Sequence, residues 1–369
     1  MTPGTPYRCV RAMLVAAMLM FTLAPRDAGA QDPYFKGRTV TILVGYSAGG
    51  PQDLTARVFA QYLSKHLTGN PSVIVSNAPG ASSVRAHNLV YEGAKANGET
   101  LLWVPWHPIG QLLNTPGVRY KYQNFSTIGM FHIPGYFVYA RTDAMPGGLK
   151  GSTDILRAPT VRFAGGSPEA GYDLHATLSF KLLGVPYTHI TGYRGSADMR
   201  AAVMKGEGNA AADVGTTIPA VLEELLFKPG IAKVLYGFPM LADDGTWIKD
   251  PTLASYPTVM EVYREAFGKD PAGPSWDLLE LVMRLYSVSQ MLAAPPATPP
   301  AIVEELRRAY VAAMTDPAFK AEYEKRFSFV PEPAPQKTVE KVIGSLDSIN
   351  PDLVAALKQH VESKPAAKP

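Results

Sequence analysis

The sequence predicts an α/β protein of two lobes, each a mostly parallel sheet flanked by helices, with a ligand cleft between them. Three observations predict it. From Arg38 onward, short β-branched runs alternate with helical patterns, which is the signature of βαβ units. Four strand-to-helix turns are built from Gly, Ser and Ala, and in an open α/β sheet such turns gather at the carboxyl ends of the strands, where ligands bind. Two of these turns precede Phe137 and two follow Arg162, with the strand-like "GYFVYAR" and the Gly/Pro-rich "DAMPGGLKG" between the pairs.

The first unit is the strand "TVTILVGY", the loop "SAGGPQ" and the helix "DLTARVFAQYLSKHL". In that helix Leu54, Val58, Leu63 and Leu67, with Phe59 and Tyr62, recur at helical spacing and predict one buried face. Asp53 stands where a carboxylate can cap exposed N–H groups. The second unit is "SVIVS", "NAPGAS" and "SVRAHNLVYEGAK", and "TLLWVP" is a third strand. Beyond the Gly/Pro stretch come "TVRFAGG", "SPEAG" and "YDLHATLSFKLLG", then "YTHITGY", "RGS" and "ADMRAAVMKG", then the strand "NAAADVG". "IAKVLYGF" carries the chain back, "LADDGTWIKDPTLASYPTV" reads as a long loop, and "APPATPP" opens the helix "AIVEELRRAYVAAM". Surface helices and a solvated tail close the chain. These boundaries predict a first lobe of residues 31–138 plus 238–369 and a second lobe of residues 139–237.

The N-terminus reads as a signal peptide. Arg8 and Arg11 precede the uncharged run 12–23, and Ala28-Gly29-Ala30 forms a cleavage site that leaves Gln31 first. That run falls well short of the roughly 20 residues needed to cross a bilayer. Cys9, the sequence's one cysteine, lies ahead of the run and so is not a lipid-bearing cysteine. A mature chain without cysteine has no disulfide, thiolate nucleophile or cysteine-based zinc site. Composition is that of an ordinary globular protein, 46% hydrophobic and 18% charged over 369 residues. Removing the signal brings the net charge from +3 to near +1, which gives no electrostatic footprint for nucleic acid.

Gly45-Tyr46-Ser47-Ala48-Gly49 matches the G-x-S-x-G pattern of a nucleophile elbow. In α/β-hydrolases several strands precede the elbow, whereas here the motif follows the first strand. His107, His132, His175, His189 and His360 with Asp173 or Asp213 offer only the nominal triad that any chain of this length offers. No histidine pair has a ligand spacing, and neither a dinucleotide nor a P-loop fingerprint is present, so no metal or cofactor is expected. The same loop also suits an anion cradle at a helix N-terminus, where several N–H groups lack partners.

In order and spacing the motifs resemble the periplasmic solute receptors of tripartite tricarboxylate transporters, the Bug or TctC-like family. The resemblance is carried by "ILVGYSAGGPQDLTAR", "NAPGAS", "GGSPEAGYDLH", "GYRGSADM", "YPTVMEV" and "APPATPP", and covers essentially the whole mature chain. It implies a two-lobed, type II-like periplasmic-binding-protein architecture, no catalysis, and a small carboxylate handed to large and small membrane subunits of a permease by a monomeric receptor. It also implies the site. Tyr46, Ser47, Ala48, Gly49, Gly50 and Asp53, with Gly80, Ala81 and Ser82, would hold a carboxylate in the first lobe. Ser167, Ala170, Gly171 and His175, the turn of Tyr193, Arg194 and Gly195, and Asp213 would come from the second, His175 being equally readable as a structural histidine. Trp106 follows a strand end and is placed to line the cleft, which keeps an aromatic carboxylate open beside di- and tricarboxylates. The chain departs from the family pattern at Ser47 and at Ser82-Ser83, and its segments 239–258 and 264–286 are long. An exported serine hydrolase using Ser47, or a receptor that signals to a membrane kinase, stands as the alternative.

Overall fold

The β-branched runs become the strands of two sheets. A computed structural model describes residues 32–132, 135–242, 244–363 and 366–367, so the expected signal peptide lies outside the described residues. The first part of the chain forms β1 (Thr39–Val44), α1 (Pro51–His66), β2 (Ser72–Asn77), α2 (Val84–Asn88), β3 (Thr100–Pro105), α3 (Ile109–Leu112) and β4 (Ser126–Phe131). It then crosses to form β5 (Tyr136–Arg141), β6 (Val161–Ala164), α4 (Gly171–Leu183), β7 (Tyr187–Thr191), α5 (Ser196–Lys205), β8 (Ala210–Val214) and β9 (Ala232–Gly237). A small hairpin of β10 (Met240–Leu241) and β11 (Trp247–Ile248) leads to α6 (Val259–Phe267) and α7 (Pro274–Leu285). The chain returns through β12 (Gln290–Ala294) to α8 (Pro300–Thr315), α9 (Pro317–Phe327) and α10 (Gln336–Ser345), and ends in α11 (Pro351–Glu362) and the short β13 (Ala366–Ala367).

The first sheet has the order β2-β1-β3-β12-β4, and the second β13-β7-β6-β8-β5-β9. Leaving β13 aside, the two orders follow one scheme. β2, β1 and β3 run parallel, as do β7, β6 and β8, while β12 and β5 are antiparallel to both their neighbours. The sheets are therefore mostly parallel, as expected, with one reversed strand in each. The reason is geometric: β5 and β12 each enter their sheet from the cleft, the edge at which the parallel strands end, and so must run the other way. Their first residues thus lie at the same edge as the Gly-rich turns.

These crossings also move the expected lobe boundaries. The chain leaves the first sheet at residues 132–135 and returns at 286–289, so residues 238–285, expected in the first lobe, stay with the second. There α7 packs on α4, and α6 packs on β9. A further crossing follows α10, because α11 packs on α7 and β13 pairs with β7.

Hydrophobic pattern explains the layers. β3 buries four successive residues because it is flanked by strands and covered on both faces, whereas the edge strand β2 leaves Ile74 47% exposed. On one face of the first sheet Phe59 of α1 stacks on Trp103 at 4.9 Å, with Tyr310 of α8 and Phe319 of α9 beside them. Ala56, Val58, Phe59, Tyr62 and Leu63 form the buried face of α1, while Leu54 turns outward at 43% exposure. On the second sheet Met199 and Val203 of α5 and Leu222 and Leu226 of a π-helical segment cover Phe137 and Tyr139. A third apolar cluster, with Leu102, Val104 and Trp106 at one end and Leu174, Leu178 and Phe180 at the other, runs through both lobes.

Candidate functional site

Three helices that begin at the cleft, α1, α4 and α5, each carry an aspartate at their third position: Asp53, Asp173 and Asp198. From that position a carboxylate can reach back to the loop before the helix and also complements the helix dipole. Asp53 accepts hydrogen bonds from Gly49 N at 2.8 Å, Arg57 Nε at 2.9 Å and Asn77 Nδ2 at 3.0 Å. Asn77 Nδ2 also reaches the carbonyl of Tyr46, so the first two loops are tied together. The Arg57 hydrogen bond is the chief reason that the Asp53 carboxyl is held at about 2, with Gly49 and Asn77 adding to it against the opposing effect of burial. Asp173, fully buried, accepts from Gly166 N and Ser167 N at 3.0 Å and from His189 Nε2 at 3.1 Å. Asp198 accepts from Arg194 N at 3.4 Å.

These bonds agree with the reading of Asp53 as a carboxylate that caps exposed N–H groups, and they engage it in shaping the loop. The same holds for the N–H groups of Gly49, Ser167 and Arg194. What stays open is the start of each helix. The cap residues Gly50, Ala170 and Gly195 supply no side-chain hydrogen bond, and Gln52, Tyr172 and Ser196 in the three first turns all border one cavity.

That cavity has a volume of about 230 Å³ and is walled by both lobes and both crossings. The first lobe contributes Gln52, Trp106 and His107, and the second Tyr136, Tyr172, His175, Phe238 and Met283; Tyr286 and Ser287 come from the return path. No Lys, Arg, Asp or Glu lines it among the described residues. Among the described residues, four buried polar atoms on its wall lack a hydrogen-bond partner, Gln52 Oε1, His132 Nε2, Tyr286 Oη and Ser287 Oγ, and His132 Nε2 faces the Asp250 carboxylate at 3.5 Å. Buried orphans of this kind cost about 1–3 kcal/mol each, a cost that a hydrogen-bonding group placed in the cavity would offset.

Ring packing fixes the walls. Trp106 donates its indole N–H to the carbonyl of Leu285 at 2.7 Å and packs on Tyr122 at 4.3 Å. His175 sits edge-on to Tyr136 at 4.9 Å, Phe238 at 4.8 Å and Tyr286 at 5.6 Å. Its Nδ1 donates to the Gly171 carbonyl at 2.6 Å, which leaves Nε2 as a bare acceptor in the neutral ring. Burial lowers His175 and His107 to about 4, so both are neutral at pH 7. Gly171 makes the crowding possible: a Cβ there would lie 2.8 Å from a ring carbon of Tyr286 and 3.0 Å from Tyr136 Oη.

Buried histidines give a pH prediction. His87 and His175, 1% and 3% exposed, are both held at about 4 chiefly by burial, whereas the unfolded chain takes up these protons near 6.5. Their contribution is complete above pH 6.5 and is lost as pH falls toward 4, at about 2 kcal/mol for each imidazole by pH 5. Thermal unfolding followed between pH 8 and pH 4.5 is expected to give a plateau and then a decline; a flat Tm across that window contradicts it.

The other expected site residues are placed as follows. Trp106 and His175 line the cavity. Ser47, Ala48, Gly49, Gly80 and Ala81 are exposed and are not among the residues that line it; the side chain of Ser82 lies outside the described ones. Tyr46 packs against the first-lobe core. Tyr193 is buried and donates its hydroxyl to Glu207, and Arg194 is exposed beside Asp198. Asp213, expected in the site to bind a ligand hydroxyl or amine or to order water, accepts from Arg200 Nη1 at 2.6 Å and Val214 N at 2.9 Å, and it is not among the residues that line this cavity. Burial raises its pKa against the pull of Arg200. Sequence analysis did not single out Tyr136, Tyr172, Phe238 or Tyr286. The available signal was the aromatic residue heading "GYFVYAR" straight after a glycine.

The hydrolase alternative needs a histidine on Ser47 and a carboxylate on that histidine's other nitrogen. Among the described residues no hydrogen bond joins Ser47 to a histidine, and the cavity's His175 is tied through Nδ1 to a backbone carbonyl.

No protein-family model matches the chain. It is 27% identical over 319 residues, 84% of this chain and 85% of the relative, to a UPF0065 protein of Cupriavidus necator from the gbd 5' region. It is 31% identical over 214 residues, 56% of this chain and 59% of the relative, to an Agrobacterium vitis UPF0065 protein from the TAR-I ttuE-ttuC' intergenic region. Among solved structures, a TctC solute-binding protein from Polaromonas superposes with a TM-score of 0.61 at 21% identity, covering 89% of this chain and 99% of that one. A Rhodopseudomonas palustris protein with adipate gives 0.60 at 20% identity over 89% and 98%. MatC from the same species, with bound malate, gives 0.58 at 21% identity over 88% and 99%. The two-lobed architecture, the strand scheme and these superpositions agree: the chain has the fold of the TctC solute-binding proteins.

Proposed function

We propose that this chain is a periplasmic solute-binding protein, exported by a cleaved signal peptide, that closes its two lobes on a small organic carboxylate. It acts as a monomer without catalysis and delivers the ligand to the large and small membrane subunits of a tripartite tricarboxylate transporter. The observation that carries the reading is the meeting of three helix N-termini, without side-chain caps and drawn from both lobes, at a cavity that no lysine or arginine lines. Each terminus presents unsatisfied N–H groups and about half a positive charge, so an anion can be held there without a cationic side chain. Because α1 belongs to one lobe and α4 and α5 to the other, an anion bound between them joins the lobes. Malate and adipate in the similarly folded structures support a carboxylate as that anion.

The test is a thermal-shift screen of the mature chain with aliphatic mono-, di- and tricarboxylates and with aromatic acids. A ligand about 100-fold above its Kd stabilises by about 2.7 kcal/mol, which raises Tm by roughly 5 °C or more. No shift with any of these acids at millimolar concentration overturns the proposal.

A further inference from the structure

Resting on that reading, we propose that the cavity selects an aromatic acid with a single carboxylate and one neutral hydrogen-bond donor on its ring, and that His175 reads the donor. The wall is the first argument. Trp106, Tyr136, Tyr172, Phe238 and Tyr286 surround the space with aromatic surface, and Met283 adds a polarizable thioether. At about 230 Å³ the space lies below the roughly 300–1,000 Å³ of pockets that hold drug-sized ligands, which suits a single ring.

Charge is the second argument. The helix N-termini can hold one carboxylate, but among the described residues no lysine or arginine on the wall meets a second, and the wall's His132 already faces the Asp250 carboxylate at 3.5 Å. A second carboxylate would be buried against rings and unpaired, which lowers affinity by about a hundredfold or more. Di- and tricarboxylates are disfavoured by this wall, although they fit the cleft in general form.

The third argument is His175. With Nδ1–H committed to the Gly171 carbonyl, the neutral ring offers only a lone pair at Nε2, and the residue lines the cavity while 3% exposed. An acceptor there repels a carboxylate and attracts a hydroxyl or an N–H group. The imidazole stays neutral in use because burial holds it at about 4. Tyr286, 5% exposed with its hydroxyl unpartnered, adds a donor on the same wall.

Isothermal titration of the mature protein with benzoate, 3- and 4-hydroxybenzoate, malate and citrate tests this. A hydroxybenzoate is expected to bind about tenfold more tightly than benzoate, one neutral hydrogen bond's worth, and at least about a hundredfold more tightly than malate or citrate. In His175→Phe the preference for the hydroxyl should shrink to within about twofold while benzoate still binds. Tighter binding of malate or citrate than of every aromatic acid overturns this inference and leaves the receptor proposal standing. Binding of no acid overturns both. A hydroxyl preference that survives in His175→Phe overturns the role of His175. Circular dichroism checks that the variant folds; if it does not, the wild-type ranking decides, and equal affinities for benzoate and both hydroxybenzoates overturn the assignment.

Discussion

Asp173→Ala is expected to destabilise the protein by about 3–5 kcal/mol and to lower its Tm by roughly 10 °C. The carboxylate is fully buried and accepts from Gly166 N, Ser167 N and His189 Nε2. Truncation leaves these donors facing a space that nothing else can fill with acceptors. Gly165 has no side chain because that space is already occupied: a Cβ there would lie 1.9 Å from Asp173 Oδ1 and 2.3 Å from His189 Nε2. Asp173→Asn keeps one acceptor oxygen and should lose less than half as much. Amide exchange adds a local readout, since the Gly166 and Ser167 protons should lose protection in Asp173→Ala before the rest of the second lobe does. A Tm within about 2 °C of wild type for Asp173→Ala would sink the idea that this carboxylate builds the loop.

Gly171→Val is expected to weaken ligand binding by about a hundredfold or more while the protein stays folded. The position starts α4, and even a Cβ meets the Tyr286 ring at 2.8 Å and the Tyr136 hydroxyl at 3.0 Å. Two further methyl groups must displace those rings into the cavity, because core packing leaves them no other place. Overpacking of this kind costs about 1–3 kcal/mol of stability, less than the fold can lose, so affinity is the sensitive readout. Gly49 makes a useful contrast. A Cβ on it meets nothing within 4 Å, so substitution there acts only through its φ of +79°. Unchanged affinity in Gly171→Val, measured by titration with a ligand from the carboxylate screen, would place the binding site elsewhere.

Much of this architecture is legible in the sequence, and the parts that are not have physical reasons. β1, β3 and β6 announce themselves as β-branched or apolar runs, and α1 and α4 by helical spacing after small-residue turns. β12, by contrast, is "QMLAA", a string of helix-favouring residues that becomes a strand because it is fully buried between β3 and β4. β4 is "STIGMF", where Gly129 weakens the strand signal; a Cβ there would strike the Tyr310 ring. Sequence motifs led to the four Gly-rich turns, and three of the helices that follow them, α1, α4 and α5, border the cavity, whereas α2 does not. The cavity's aromatic wall comes instead from the crossing strands, from Tyr136 at the start of β5 and Tyr286 just before β12. No local spacing announces those residues, since what unites them is the point where the chain changes sheets. Asp53 illustrates the complementary limit: an aspartate beside a binding loop looks the same in sequence whether it meets a ligand or holds the loop.

The repeated crossing has a kinetic side. β12 lies between β3 and β4, so Trp103 gains its partner Leu292 only after the chain has passed through β5 to β11. Until then the first sheet is two separate pieces with open edges, and the pairing that joins them spans a long stretch of chain. Such non-local pairings fold slowly. The delay is therefore written into strand order, and the first lobe cannot finish before the last third of the protein arrives.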